Sequence, residues 1–163
     1  MVILGVDPGC RISGYSVIYK SSTGVQLRQC GYLSMPATRT LPERVAQFHD
    51  FFKLKITEHN VTHIALETPF LGKNSQSFLK LGYLRGILYL LSVQHTLELI
   101  EFTPSQVKQA LTGYGAASKE QVSCMVLKLF PTMTTPAKFD ISDAVAVGLC
   151  GAWQTDSRLT YIR

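Results

Sequence analysis

The sequence has no apolar run long enough to cross a membrane: its longest, at residues 86–93, is far short of the ~20 residues that a membrane helix needs. It also lacks a basic amino-terminal region, and Asp7 interrupts the first apolar run, so no signal peptide is expected. The four cysteines form no Cys-x-x-Cys pair, which argues against a zinc site or a disulfide framework. These absences favour a cytoplasmic globular protein with free thiols and no membrane association.

Acidic residues are few relative to basic ones, and the excess positive charge is concentrated in one segment. Eleven Asp and Glu stand against sixteen Lys and Arg, which gives a net charge of +5. Residues 68–139 hold seven of the bases and three of the acids, so this segment carries +4 of the total. A basic surface attracts nucleic acid, although lysines that only keep a protein soluble would give the same count.

The length of 163 residues predicts one domain covering residues 1–163, and its apolar spacing predicts an α/β fold. Short apolar runs predict five strands, at residues 2–6, 14–19, 25–33, 62–67 and 97–102. Helical spacing predicts helices at residues 41–56, 75–93, 103–111 and 140–153, with another after a capping box at Ser118 and Gln121. The first three strands have short links and should be antiparallel, whereas the helix that follows them implies a crossover. The expected sheet is therefore mixed, with helices flanking it.

The helix predicted at residues 75–93 is apolar on two faces. One stripe contains Phe78, Leu81, Leu84, Leu88 and Leu91, and the other contains Leu79, Tyr83, Ile87 and Leu90. Such a helix is buried on two sides. The sheet would cover one side, and a second subunit could cover the other, where Gly82 and Gly86 would permit close approach. A helix sandwiched within its own domain would have the same pattern.

Four acidic residues differ from the ordinary surface charges in their position. Asp7 and Glu67 each end an apolar strand. Asp140 and Asp143 are three apart at the start of an apolar helix, so both point to one side, although Asp140 alone could simply stabilise the helix dipole. If all four converge, their repulsion would raise their pKa values, and two divalent cations would offset the charge. Oxygen ligands of this kind suit Mg²⁺ or Mn²⁺, and two such ions can support phosphodiester hydrolysis, as in a metal-dependent nuclease.

Several motifs, in order along the chain, carry a resemblance to a known family. They are GVDPGCR at residues 5–11 with Gly14-Tyr15, ALE at 65–67 followed by Phe70 and Lys73-Asn74, Leu81-Gly82 with Arg85-Gly86, QVKQ at 106–109, Gly113 and Gly115 with Lys119, and DISDA at 140–144. In these residues the sequence resembles the RuvC family of Holliday-junction resolvases, within the RNase H-like superfamily. The match runs from residue 2 to about residue 150 in the expected order.

The resemblance implies an RNase H-like fold with a five-stranded mixed sheet, and a homodimer that resolves four-way DNA junctions in recombination and repair. Such an enzyme makes paired symmetric nicks that leave 5′-phosphate and 3′-hydroxyl ends. The resemblance implies that two Mg²⁺ ions, replaceable by Mn²⁺, are bound by four catalytic residues: Asp7, Glu67, Asp140 and Asp143. Phe70 matches an aromatic that inserts among bases near the crossover, and Lys108 and Lys119 match residues that serve DNA binding or catalysis. Further phosphate contacts are expected at Arg11, Lys73 and Arg85. The RuvA–RuvB branch-migration complex is the expected partner.

The sequence also allows other roles for these residues and other functions for the protein. Phe70 could fold back onto the core, and both lysines could be ordinary solvated residues. The protein could bind junctions without cutting them. The GVDPG segment also resembles the first phosphate loop of actin-like ATPases and sugar kinases, but those enzymes need two domains and over twice this length.

Overall fold

The computed structural model describes residues 1–68, 75–131, 133 and 139–157. Within these ranges the strands are β1 Val2–Asp7, β2 Ile12–Ser21, β3 Gly24–Ser34, β4 His63–Glu67 and β5 Glu98–Phe102. The helices are α1 Leu41–His59, α2 Ser75–Gln94, α3 Pro104–Thr112, α4 Lys119–Leu129 and α5 Phe139–Ser157. Each predicted element is present; β2, α1 and α5 are three to five residues longer than predicted, whereas β4 and β5 are one residue shorter. Backbone pairing extends past the last apolar side chain, as it does between Ser21 and Gly24 at the β2–β3 turn.

The strands form one mixed sheet in the order β3-β2-β1-β4-β5. The predicted antiparallel meander of β1, β2 and β3 is confirmed. β4 returns parallel to β1 after the α1 crossover, and β5 is parallel to β4. The carboxyl ends of β1, β4 and β5 therefore lie at the same edge of the sheet.

Helices cover both faces of this sheet because side chains alternate along each strand. On β1, Leu4 and Val6 point into a core that includes Phe48 of α1 and Leu88 of α2. Ile3 points to the opposite core, where the buried side chains of α3, α4 and α5 pack. The central strands β1, β2 and β4 are largely buried, as expected when helices lie on both sides, whereas the edge strands β3 and β5 are partly exposed.

Helix α2 keeps one of its two apolar stripes exposed. Leu84, Leu88 and Leu91 are buried in the core, whereas Leu79 and Leu90 are 57% and 47% exposed. Tyr83 and Val93 continue the same exposed row. The interpretation in which this helix is sandwiched within its own domain is therefore wrong for the part of the chain described. No described helix has the length and apolar character that a membrane span requires.

Candidate active site

Two carboxylates reach the same pocket because they end neighbouring parallel strands. Asp7 is the last residue of β1, and Glu67 is the last residue of β4. The residues just before them, Val6 and Leu66, are paired in the sheet. Both carboxylates line a pocket of about 190 Å³ beyond the edge of the sheet, together with Asp143.

The first turn of α5 joins this edge by packing directly on the strand backbone. A Cβ added to Gly14 would lie 1.9 Å from the Asp140 carbonyl oxygen, so only glycine allows this approach. Gly14 is paired with Asp7 in the β1–β2 ladder, which places the start of α5 beside the Asp7 backbone. One turn further on, the Ser16 hydroxyl donates to the Ala144 carbonyl at 2.8 Å. Gly14 of β2 thus explains how Asp140 and Asp143, which are distant in sequence, come near Asp7.

The pKa values of the acids show that their charges are close together. The pKa of Asp7 is raised from 3.8 to about 7, first by burial and then by repulsion from Asp143, Glu67 and Asp140, in that order. Burial and the charge of Asp143 also raise the pKa of Glu67. Asp7, Glu67 and Asp143 thus line one pocket, whereas Asp140, three residues before Asp143 on α5, does not line it and adds a smaller repulsion at Asp7.

Two lysines bring positive charge to the same pocket. Lys119, the first residue of α4, donates from Nζ to Asp143 Oδ2 at 2.8 Å. This hydrogen bond raises the pKa of Lys119 and holds the ammonium against the acids. Lys108, on α3, lines the pocket next to Glu67 and opposes the rise in the Glu67 pKa. The pocket therefore combines acids that can bind cations with bases that can contact a phosphate.

The donor set fits a hard divalent cation. All four acids offer carboxylate oxygens, which Mg²⁺ and Mn²⁺ prefer, and the mutual repulsion at Asp7 is what a cation would relieve. Among residues 1–68, 75–131, 133 and 139–157, no group of three His, Cys, Asp or Glu side chains is arranged to hold an ion as it stands. The Lys119 ammonium already binds one oxygen of Asp143.

Comparison with known proteins identifies the family. The family model for "Crossover junction endodeoxyribonuclease RuvC" matches residues 3–151. A protein of that name from Pelodictyon phaeoclathratiforme is 41% identical over 158 residues, which cover 97% of this chain and 83% of the relative. The chain belongs to the RuvC family. It is a crossover junction endodeoxyribonuclease that resolves Holliday junctions, and RuvC enzymes are metal-dependent nucleases.

Solved RuvC structures confirm the expected RNase H-like fold. Thermus thermophilus RuvC in complex with a Holliday junction substrate has a TM-score of 0.88 and 26% identity, over 96% of each chain. The yeast mitochondrial Holliday junction resolvase Ydc2 has the same fold, with a TM-score of 0.68 and 16% identity over 99% of this chain and 81% of Ydc2. The five-stranded mixed sheet with flanking helices is thus the RuvC architecture.

The basic residues that the RuvC resemblance suggested for DNA binding lie at different places in the structure. Lys108 and Lys119 line the pocket, and Arg11 is exposed on the turn after β1. Phe70 and Lys73 lie outside the described residues, so their roles stay predictions.

Arg85 is not a surface cation, contrary to the interpretation of it as a phosphate contact. It is only 6% exposed, and its guanidinium forms an ion pair with Glu101 of β5. The family resemblance suggested a phosphate contact, but in the structure its acidic partner lies on a neighbouring strand. No local pattern of residues could have indicated that pairing.

Sequence reasoning missed two cations near the β1–β2 turn of this RuvC protein. Arg44 of α1 donates to the Cys10 carbonyl at 3.0 Å. Burial raises the pKa of the Cys10 thiol, and the charges of Arg44 and Lys80 oppose this rise, so both cations lie close to the turn that follows Asp7. Each resembles an ordinary surface charge on its own helix, and only the fold brings them to the turn.

Proposed function

We propose that this RuvC family member cuts four-way junctions by paired symmetric nicks, with hydrolysis at the pocket between β1, β4 and α5. The observation that carries this proposal is the meeting of Asp7, Glu67 and Asp143 at one pocket, with Asp140 in the first turn of α5 packed on the strand beside Asp7. A carboxylate cluster beside Lys108 and Lys119 matches the needs of phosphodiester cleavage: cation ligands next to groups that can contact phosphate.

The four acids would hold two Mg²⁺ ions, with Mn²⁺ able to substitute. When bound, the ions would lower the pKa of the attacking water and take charge from the leaving 3′-oxygen. The protein contributes the arrangement: β1 and β4 fix Asp7 and Glu67, and the first turns of α5 bring the two aspartates to them.

Hydrolysis at this pocket needs the lysines as well as the acids. Water adds to the phosphorus of the scissile phosphate, the bond from phosphorus to the 3′-oxygen breaks, and the products are a 5′-phosphate and a 3′-hydroxyl. Lys108 and Lys119 would contact the non-bridging oxygens and offset the charge that develops on them. The ammonium of Lys119 is already aimed at this space through Asp143.

This assignment is tested on a synthetic four-way junction. With Mg²⁺, the protein should nick two strands of like polarity at symmetric positions and leave a linear duplex of the same sequence uncut. Binding without cutting, in both Mg²⁺ and Mn²⁺, would favour a junction-binding protein. ATP turnover in the absence of DNA would favour the actin-like alternative.

A homodimer is part of the proposal. A four-way junction cut at two symmetric positions suits a two-fold dimer, and the exposed row Leu79, Tyr83, Leu90 and Val93 of α2 is an apolar surface that a second copy would cover.

Leu90→Glu should therefore convert the dimer into monomers. The substitution would place one unpaired charge from each copy in the apolar interface, and a buried charge costs several kcal/mol, so the dimer dissociation constant should rise at least about 100-fold. Sedimentation measures the mass, and the junction assay should show single nicks in place of paired ones. Leu54→Glu is the matched control, because Leu54 is 59% exposed on α1. Equal effects of the two substitutions, or a wild-type monomer at micromolar concentration, would contradict the proposed interface.

Lys119→Met should separate two roles of the lysine. Without DNA it should strengthen Mn²⁺ binding about two- to fivefold, because the exposed ion pair that competes for Asp143 is worth up to about 1 kcal/mol. On the junction it should slow nicking about 100-fold, since a group that offsets transition-state charge is lost. Electron paramagnetic resonance of free Mn²⁺ measures the first effect. Lys128→Met on the same helix is the control, and weaker Mn²⁺ binding by Lys119→Met would contradict the competition.

We infer that the dimer works with the RuvA–RuvB complex, which the family resemblance supports. A single domain over residues 1–163 and a cytoplasmic location stay predictions; the free state of all four cysteines is consistent with the latter.

A further inference from the structure

The buried arginine of α2 makes a network that no surface role explains. The Arg85 guanidinium donates to the backbone carbonyl of Glu67 and to Glu101 Oε1. It also donates to the Tyr89 hydroxyl at 3.2 Å, and that hydroxyl in turn donates to the same Glu101 oxygen at 2.7 Å. One arginine thus joins helix α2, the last residue of β4 and the neighbouring strand β5.

Because this network is buried, it indicates that Arg85 stabilises the structure next to the active-site pocket. A cation that is 6% exposed has given up its hydration, and it is tolerated because Glu101 and two oxygen acceptors replace the lost water. Moving the guanidinium out to a DNA phosphate would leave Glu101 and the Glu67 carbonyl without their donor. We therefore expect Arg85 to keep its contacts with Glu101 and the Glu67 carbonyl during the reaction.

The position of the bound carbonyl identifies what the arginine holds. Glu67 is the point where β4 ends, and the ladder to β5 continues only through the Thr68 amide, which donates to the Phe102 carbonyl at 2.7 Å. The Thr68 amide and the Glu67 carbonyl belong to one peptide group, which the Phe102 bond holds on one side and the Arg85 bond holds on the other. Without Arg85 this group is held on one side only, and a small rotation there would swing the Glu67 carboxylate out of the pocket. The Arg85 hydrogen bond to the Glu67 carbonyl restrains that rotation.

We propose that Arg85 is a positioning residue, held by Glu101 and Tyr89, that orients Glu67 for cation binding in the active site. The inference rests on the proposed function, because it takes Glu67 as a ligand of the catalytic cations. It also connects the site to α2, whose opposite face carries the exposed apolar row.

The test measures cation binding without DNA, and junction binding without cutting. Arg85→Met should weaken Mn²⁺ binding about 10- to 100-fold, the range typical of groups that orient a metal ligand. Junction affinity in Ca²⁺ should change less than twofold, with the same dependence on salt. A phosphate contact predicts the opposite: weaker junction binding, and a salt slope smaller by about 0.9, with Mn²⁺ binding unchanged.

A second variant keeps the test valid if Arg85→Met fails to fold. Glu101→Gln keeps the arginine but removes the negative charge that holds it. This substitution should weaken Mn²⁺ binding about three- to tenfold, in the same direction as Arg85→Met. A phosphate-contact role predicts that freeing Arg85 in this way strengthens junction binding. Arg28→Met is the control, since Arg28 is exposed on β3 at the far edge of the sheet and stacks on Tyr19.

The outcomes also distinguish this inference from the proposed function. A wild-type protein that never nicks a junction contradicts the proposed function itself. A wild-type protein that nicks, with variants at Arg85 and Glu101 that bind Mn²⁺ as tightly as Arg28→Met, contradicts only the positioning role. Weaker Mn²⁺ binding by both variants, at unchanged junction affinity, supports it.

Discussion

Asp7→Asn should abolish strand cleavage and leave junction binding intact. Asp7 lies at the centre of the carboxylate cluster and is the acid whose pKa responds to all three others. Asparagine has nearly the same shape but no charge, so it cannot offset a divalent cation. Loss of cation-dependent stabilisation worth several kcal/mol slows nicking by at least about 10³-fold. Nick formation on a labelled junction measures the rate, and gel shift in Ca²⁺ measures binding.

The control for this substitution is Asp50→Asn. Asp50 is an exposed acid on α1 that pairs with His49, away from the pocket, so the same chemical change there should leave both cleavage and binding unchanged. A cleavage rate of Asp7→Asn within tenfold of wild type would remove Asp7 from the catalytic centre. Loss of junction binding in Asp7→Asn alone would point to a structural role in place of a catalytic one.

Without divalent cations, the protein should lose stability as the pH rises toward 8. The folded-state pKa of Asp7 is raised to about 7 from 3.8, so between these values the folded state holds a proton that the unfolded state has released. Stability from this group is therefore greatest at low pH and declines as the pH rises through the folded pKa, by up to about 4 kcal/mol. The raised pKa of Glu67 acts in the same direction.

Urea unfolding in EDTA between pH 5 and pH 8 measures this effect. Three exposed acids with lowered pKa values, Glu43, Glu58 and Glu120, contribute only as the pH falls further. The comparison with Asp7→Asn at each pH separates the cluster from other groups that titrate in this range, such as the four histidines. Asp7→Asn should be more stable than the wild type at pH 8 and lose much less stability over the range. Mg²⁺ at pH 8 should restore stability to the wild type more than to Asp7→Asn. A wild-type protein equally stable at pH 5 and pH 8, with no difference from Asp7→Asn, would contradict the repulsion in the cluster.

The order of strands and helices could be predicted because each element carries its own local signal. A short apolar run marks β1, and a capping box marks α4. The ends of elements were less accurate, since backbone pairing at residues such as Ser21 continues where the apolar pattern stops. The four candidate acids could be named in advance because their motifs resemble a family, and because Asp7 and Glu67 each end an apolar strand.

The sequence by itself determined the mixed sheet, the four acids and the RuvC resemblance, since these depend on residue type and on spacing within one segment. Only the tertiary structure decided which charges meet. Arg85 became a buried partner of Glu101, and Lys119 became the partner of Asp143, because the partners lie on separate elements that the fold brings together. The pKa of Asp7 likewise depends on burial and on acids from distant segments, since electrostatic energy follows distance in space and not separation along the chain.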